Sequence, residues 1–350
     1  MDIFIFLLSF AVILAGCEFF TNGVEWTGKR FGLAEGAIGS VLAAIGTALP
    51  ETLIPLIAIL FLGGKSGAEV GVGAILGAPF MLATLALFVC GLSLIAFARR
   101  RNTRHLNING VLIRRDLTFF IIAYTLAAIA VFVPPQLGII KTVVGLTLIP
   151  IYIVYMVYTL KTGETWGQEK LSDLYFDKAL SRLVPVDQRS GSMGHEPMTI
   201  LILVQLFASL AAIILGAAMF VEQITDIATY IGINPLILSL VISPLATELP
   251  EKFNSMLWIR AQKDTFAIGN ITGAMVFQSC IPVTIGILMT SWHLNLADRV
   301  QFLEAMTIGI ALLSAIILYL RSSRREIKIS GLMLGGLLYL VFFVLVMVSI

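Results

Sequence analysis

Charge is scarce in this sequence: only 13% of its residues are Asp, Glu, Lys or Arg, against 58% apolar residues and a mean hydropathy of +0.97. That balance excludes an ordinary soluble domain and predicts an integral membrane protein. Cysteine is nearly absent too. Cys17, Cys90 and Cys280 are scattered through apolar segments, which excludes a disulfide framework and any cysteine metal-ligand spacing. The three histidines, His105, His195 and His293, fall in loops or at the end of a span, so no HExxH pair sits in a membrane segment. No nucleophile and base stand at a telling spacing either, and an intramembrane enzyme is the disfavoured reading. The net charge of +2 carries no nucleic-acid signal.

What the sequence has is long apolar runs. They lie at 3–22, 36–62, 69–97, 117–134, 139–160, 198–221, 232–258, 265–290, 300–320 and 329–349. About twenty residues suffice to cross a hydrocarbon core of roughly 30 Å, so these predict ten transmembrane helices. The runs do not alternate with a period of two, which excludes a barrel. Nineteen of the 23 basic residues fall in loops after odd-numbered spans, among them the clusters Arg99–Arg101 and Arg321–Lys328. The positive-inside rule then places both termini outside and the central loop in the cytoplasm of a cell (inner) membrane protein. "LAGC" (14–17) resembles a lipoprotein cleavage box, but the preceding "MDIF" lacks the positive charge of a leader, so the first run reads as a span.

Residue n matches residue n + 200 without a gap from 16 to 52: Gly16 with Gly216, Phe20 with Phe220, Gly32 with Gly232, Val41 with Val241, then Thr47, Leu49, Pro50 and Glu51 with Thr247, Leu249, Pro250 and Glu251. After a slip of four, "GAILGA" (73–78) falls on "GNITGA" (269–274). Identities clustered around one polar kernel indicate a repeat. Each copy holds five spans, an odd number, so the second is inverted relative to the first. The expected organisation is a five-helix repeat over 1–160, a cytoplasmic linker over 161–197 and a second five-helix repeat over 198–350. Within the linker, Leu171, Leu174, Tyr175, Leu183 and Val184 share one helical face, which predicts an amphipathic helix at the membrane surface.

The kernels "GTALPE" (46–51) and "ATELPE" (246–251) place carboxylates near mid-membrane, where they are expensive and require a reason. Pro50 and Pro250 have no amide hydrogen, so the carbonyls of Gly46 and Ala246 lose their helical partners. Thr47 with Glu51, and Thr247 with Glu251, stand four residues apart on the same face as the freed carbonyl. These are oxygen donors only, suited to hard cations such as calcium or sodium. Glu248 stands four residues before Lys252, and the spacing allows either a structural ion pair or a third site carboxylate. With the pair formed, Glu51 and Glu251 leave two negative charges, which balance one divalent ion, two monovalent ions or two protons. Carboxylates in an apolar site take up protons readily, so proton coupling is chemically available. In the eighth span Asn270 and Gln278 are further candidate ligands, with Thr272 and Ser279 nearby. In the third span Gly71, Gly73, Gly77 and Ala78 predict close helix packing. Glu18 is expected near the cytoplasmic entrance. A passive channel and a purely fold-forming role for the kernels are the competing readings.

At these residues the chain resembles the cation/calcium exchanger superfamily, and within it the prokaryotic sodium/calcium antiporters. The resemblance covers the whole chain, and its specific signal is the pair of Leu-Pro-Glu kernels with Gly-rich companion spans. In that family the kernel is Gly-Thr-Ser-Leu-Pro-Glu and its glutamates coordinate calcium at mid-membrane. The resemblance therefore implies that Thr47, Glu51, Thr247 and Glu251 bind calcium, and that calcium and sodium, or protons, are transported ions with no resident cofactor and no protein partner beyond the lipid bilayer. Ala48 and Glu248 stand where the family kernel has serine, and Ala246 where it has glycine. Its companion motif is represented by "GAPFML" (77–82) and "GAMVFQ" (273–278), so Leu82 replaces a polar ligand and Gln278 an Asn or Asp.

Overall fold

The computed structural model describes residues 3–30, 49–161, 172–183, 197–323 and 326–349. The first half comprises α1 (Ile3–Arg30), α2 (Leu49–Ile57) continued by a π-helical turn (Ala58–Leu62), α3 (Gly64–Met81) joined through a second π segment (Leu82–Ala86) to α4 (Leu87–Ala96), a short α5 (Ala98–Arg101), α6 (Gly110–Phe132) and α7 (Gly138–Lys161). After α8 (Tyr175–Leu183) in the linker, the second half comprises α9 (Thr199–Ile231), α10 (Pro235–Thr247), α11 (Leu249–Arg260), α12 (Asp264–Met289), α13 (Arg299–Ser322) and α14 (Ile329–Ser349). Among the described residues eight helices are long and apolar enough to cross a membrane. The other two of the ten expected spans are the interrupted ones, represented by the shorter apolar helices Glu51–Phe61 and Pro235–Leu245.

Local chemistry sets several boundaries. Asn109 accepts from the Val111 and Leu112 amides at 3.1 and 3.4 Å and starts α6. Asp298 accepts from the Gln301 amide at 3.0 Å and starts α13. Gly232, at φ +72°, ends α9 in a left-handed conformation that favours glycine.

The two Gly-rich companion spans form the centre of the bundle: in the 18-residue apolar stretch of Gly64–Ala96 78% of residues are buried and in that of Asp264–Met289 72%, whereas in those of α1, α7 and α14 22% are buried and these helices face outward. This close packing is what the small residues of the third span predict. A Cβ at Gly73 or Gly77 would run into the carbonyl oxygens of Leu236 and Leu240 on α10. Only glycine lets the two backbones approach this closely.

The repeat is visible as a reciprocal contact. A Cβ at Gly16 would lie 2.8 Å from Ile213 Cγ1 and 3.3 Å from the Ser209 carbonyl; one at Gly216 would lie 2.9 Å from Ile13 Cγ1 and 3.1 Å from the Ser9 carbonyl. Each contact is the other with 200 added or subtracted, so a pseudo-two-fold axis passes between α1 and α9. The protein is an all-α polytopic membrane protein built on two inverted repeats.

The linker helix covers 175–183, within the predicted 171–184 segment, and docks on the α1/α9 pair. Trp26 Nε1 donates to the Ser172 carbonyl at 2.9 Å, and Gln205 Oε1 accepts the Phe176 amide at 2.9 Å. Gln205 Nε2 donates to Asn22 Oδ1 at 2.9 Å, while Leu174 is buried between Trp26 and Ile202. The Tyr175 hydroxyl donates to Glu18 Oε1 at 2.9 Å, which puts Glu18 at this end of the bundle. At the same end β1 (His105–Asn107) pairs antiparallel with β2 (Glu326–Lys328), and the buried pair Arg101–Asp264 closes at 2.7 Å.

Candidate cation site

In the second kernel the chain breaks where the proline predicts. α10 stops at Thr247 and α11 starts at Leu249, with Glu248 between them at φ −87°, ψ 8°. Pro250 brings no amide to the Ala246 carbonyl. Helical bonding brackets the gap: the Glu248 amide donates to the Pro244 carbonyl and the Lys252 amide to the Glu248 carbonyl, both at 3.1 Å. Glu251 lies in the first turn of α11, where the aligned amides of a helix start favour a carboxylate, and its side chain is 4% exposed. Thr247 is buried beside the break.

The first kernel repeats the arrangement as far as it is described. Glu51 lies in the first turn of α2 and is 5% exposed. Among the described residues its Oε2 accepts no hydrogen bond. Gly46 and Thr47 lie outside the described residues, as does the side chain of Ala246.

Glu248 is joined to Lys252, Nζ to Oε2, at 2.9 Å, with both side chains buried. Lys252 Nζ also donates to the Pro244 carbonyl at 3.4 Å. The charges of Glu251, Glu248 and Lys252 all act on Glu51, so the two kernels share one electrostatic centre. Cys17, buried on α1, faces the charges of both Glu51 and Glu251. Sequence spacing gave no signal for it; its counterpart by the 200-residue offset is the buried Ala217.

On the companion span, Asn270 Nδ2 donates to the Glu251 carbonyl at 3.1 Å and to Ser255 Oγ at 3.3 Å, tying α12 to α11 at the carboxylate-bearing residue and one turn beyond it. Ser255 Oγ in turn donates to the Ala267 carbonyl at 3.0 Å. Gln278 is buried further along α12, and its Oε1 accepts no hydrogen bond among the described residues. Thr272 is committed elsewhere: its hydroxyl donates at 2.9 Å to Asp116 Oδ2, a buried carboxylate on α6 that also accepts from the Arg115 guanidinium at 2.9 Å. In the first half the corresponding place is apolar, with Leu82 fully buried at the start of the π segment.

Chemically the described parts of the kernels offer the buried carboxylates of Glu51 and Glu251, the buried Thr247 hydroxyl and one internally neutralised pair, Glu248 with Lys252. Among the described residues no three His, Cys, Asp or Glu side chains converge to hold a metal by themselves. A cation here would complete its shell with neutral oxygens or water, which suits calcium and sodium better than zinc or copper, whose preferred donors are nitrogen and sulfur.

The solved H+/Ca2+ exchanger CAX shares the fold with a TM-score of 0.65 and 15% identity over 99% of this chain and 85% of that one. The sodium-calcium exchanger NCX_Mj, soaked with sodium and strontium, does so with a TM-score of 0.58 and 20% identity over 97% and 96%. At such identities these are likenesses of fold. Inner membrane protein YrbG of Escherichia coli is 24% identical over 310 residues, 88% of this chain and 86% of its own length. A membrane protein of Methanocaldococcus jannaschii is 23% identical over 345 residues, 99% and 96%. The sodium/calcium exchanger family matches residues 1–161 and again 201–350, so with two kernels and two inverted halves in place the chain belongs to the sodium/calcium exchanger protein family.

Proposed function

We propose that the protein is a secondary active cation antiporter that exchanges calcium for sodium by alternating access through a mid-membrane site centred on Glu51 and Glu251. The observation that carries this reading is that equivalent glutamates of two inverted repeats are both buried, each in the first turn of the helix that follows its kernel. Two ionised carboxylates in one apolar site repel, and a divalent cation relieves the repulsion that neither glutamate can relieve for the other. Inversion of the halves gives each side of the membrane an equivalent route to the same pair. Obligatory exchange follows because the bare charges are costly to reorient without a counter-ion. Thr47, Gly46, Thr247, Ala246, Asn270 and Gln278 are the neutral oxygen donors in this reading. In this reading the linker is cytoplasmic and both termini are outside, as the asymmetry of basic residues supports.

Leu82 favours a second reading. It fills with a buried alkyl group the place where a first-half companion ligand would stand, so the site has fewer neutral oxygens for several sodium ions. Protons need no such shell, and calcium/proton exchange on the same two carboxylates fits that loss.

Glu51→Gln and Glu251→Gln separate both readings from a structural role. Each variant should lose radioactive calcium counterflow in proteoliposomes while eluting as folded protein. Substantial counterflow in either variant contradicts a site built on both carboxylates.

A further inference from the structure

At the end of the bundle opposite the docked linker helix, a cavity of about 560 Å³ opens between α3, the turn before α10 and the connection from α12 to α13. No residue of either kernel lines it, neither Glu51 nor Glu251 among them. Three carboxylates do: Glu69, Asp298 and Glu304. The deepest is Glu304, on the second turn of α13, only 1% exposed. Among the described residues its Oε1 accepts no hydrogen bond. The charges that act on it are those of Glu69 and Asp298, both of its own sign.

Among the described residues no compensating group donates to Glu304 Oε1. Asp298 is occupied in part as the cap of α13, accepting the Gln301 amide at 3.0 Å. Lys65, which also lines the cavity, stands at the rim with its side chain 91% exposed, 3.7 Å from Glu69, and an ion pair in water of that kind adds little. His293 contacts the Val131 carbonyl through Nδ1 at 3.2 Å. A buried carboxylate with like charges around it and no donor on one oxygen is stabilised either by a proton or by a positive partner from outside the chain.

The cavity can supply one. A water occupies roughly 30 Å³ of liquid volume, so a space of this size admits a cation with much of its hydration shell. Among the described residues no three acidic or imidazole side chains converge on a common point, so the ion is not caged. Calcium accepts such a mixed shell of one or two carboxylates and several waters.

We propose that this cavity is a second cation site, separate from the mid-membrane centre, in which Glu304 directly ligates a hydrated divalent cation and Glu69 and Asp298 supply the surrounding negative charge. As a binding site it stands without the transport reading; as a place where cations gather before entering the protein it rests on that reading.

Trp292 lines the same cavity and makes the site observable. Terbium, a hard oxygen-seeking cation, luminesces when a nearby indole is excited. The experiment uses full-length protein in detergent carrying both Glu51→Gln and Glu251→Gln, so that binding at the central carboxylates is removed and the result is independent of transport. Saturable, calcium-displaceable terbium luminescence is expected. Adding Glu304→Gln should weaken its half-saturation by about tenfold or more, while Glu304→Asp, which keeps the charge, should hold it within about threefold. Absence of saturable luminescence, or an affinity unchanged by Glu304→Gln, overturns the proposal. If Glu304→Gln does not elute as folded protein, Glu69→Gln at the more open wall decides in its place: weaker terbium binding supports the site, and unchanged binding overturns it.

Discussion

Lys252 closes on Glu248 at 2.9 Å with both side chains out of solvent, and Glu248 Oε1 accepts nothing else among the described residues. Removing one member of such a pair leaves a buried charge without compensation, which costs about 3–5 kcal/mol, whereas replacing both by apolar groups is often neutral. Lys252→Ala should therefore lower thermal stability in detergent by an amount equivalent to about 3 kcal/mol, and Glu248→Leu with Lys252→Met should recover most of it. A neutral Lys252→Ala would contradict a structural role for the pair. The four-residue spacing made this partnership legible in the sequence, while leaving open whether Glu248 belonged to the site instead. Asn270 was legible only as a polar residue in the right span. Its bonds to the Glu251 carbonyl and Ser255 depend on how α11 crosses α12, which no spacing encodes. Cys17 and Asp116 gave no signal for the same reason: each gains its meaning from helices far away in sequence.

At the scale of elements, the α1/α9 crossing is the firmest consequence of the repeat. Gly16 and Gly216 each receive an isoleucine side chain from the other helix. Gly16→Val and Gly216→Val should destabilise the protein to a similar degree, by about 1–3 kcal/mol each, because each forces the same side chain aside. Gly309→Ala is the matching control, since nothing lies within 4 Å of its position on α13. Its expected change in melting temperature is zero or a small gain. The linker helix gives a second check. Gln205 links Phe176, Phe19 and Asn22, so Gln205→Ala should undock the 172–183 segment and speed trypsin cleavage at the exposed Lys178 several-fold. An unchanged cleavage rate would mean that Leu174 and Trp26 suffice to hold it. Apolar periodicity located the spans and the amphipathic linker helix but missed their ends. α6 begins at Gly110, seven residues before the apolar run, because Asn109 caps it and the polar Arg115 and Asp116 find partners on α7 and α12. Hydropathy registers the lipid-facing part of a helix, whereas packing carries it further.

For the whole molecule, inversion accounts for the paired kernels, the reciprocal contact at α1/α9 and the burial of the two companion spans at the centre. The halves are not equal. One companion span carries Asn270 and Gln278, the other glycines and Leu82, and this inequality was already present in the sequence. It bears on which ion opposes calcium, since protons require no neutral oxygens and sodium does. The most direct measurement is radioactive calcium uptake into proteoliposomes under an imposed sodium gradient and, separately, an imposed proton gradient, with Glu251→Gln as the blank. The account predicts uptake driven by the sodium gradient and lost in the variant. Uptake driven only by protons would reassign the counter-ion while keeping the carboxylate pair, and uptake driven by neither gradient would contradict calcium antiport itself.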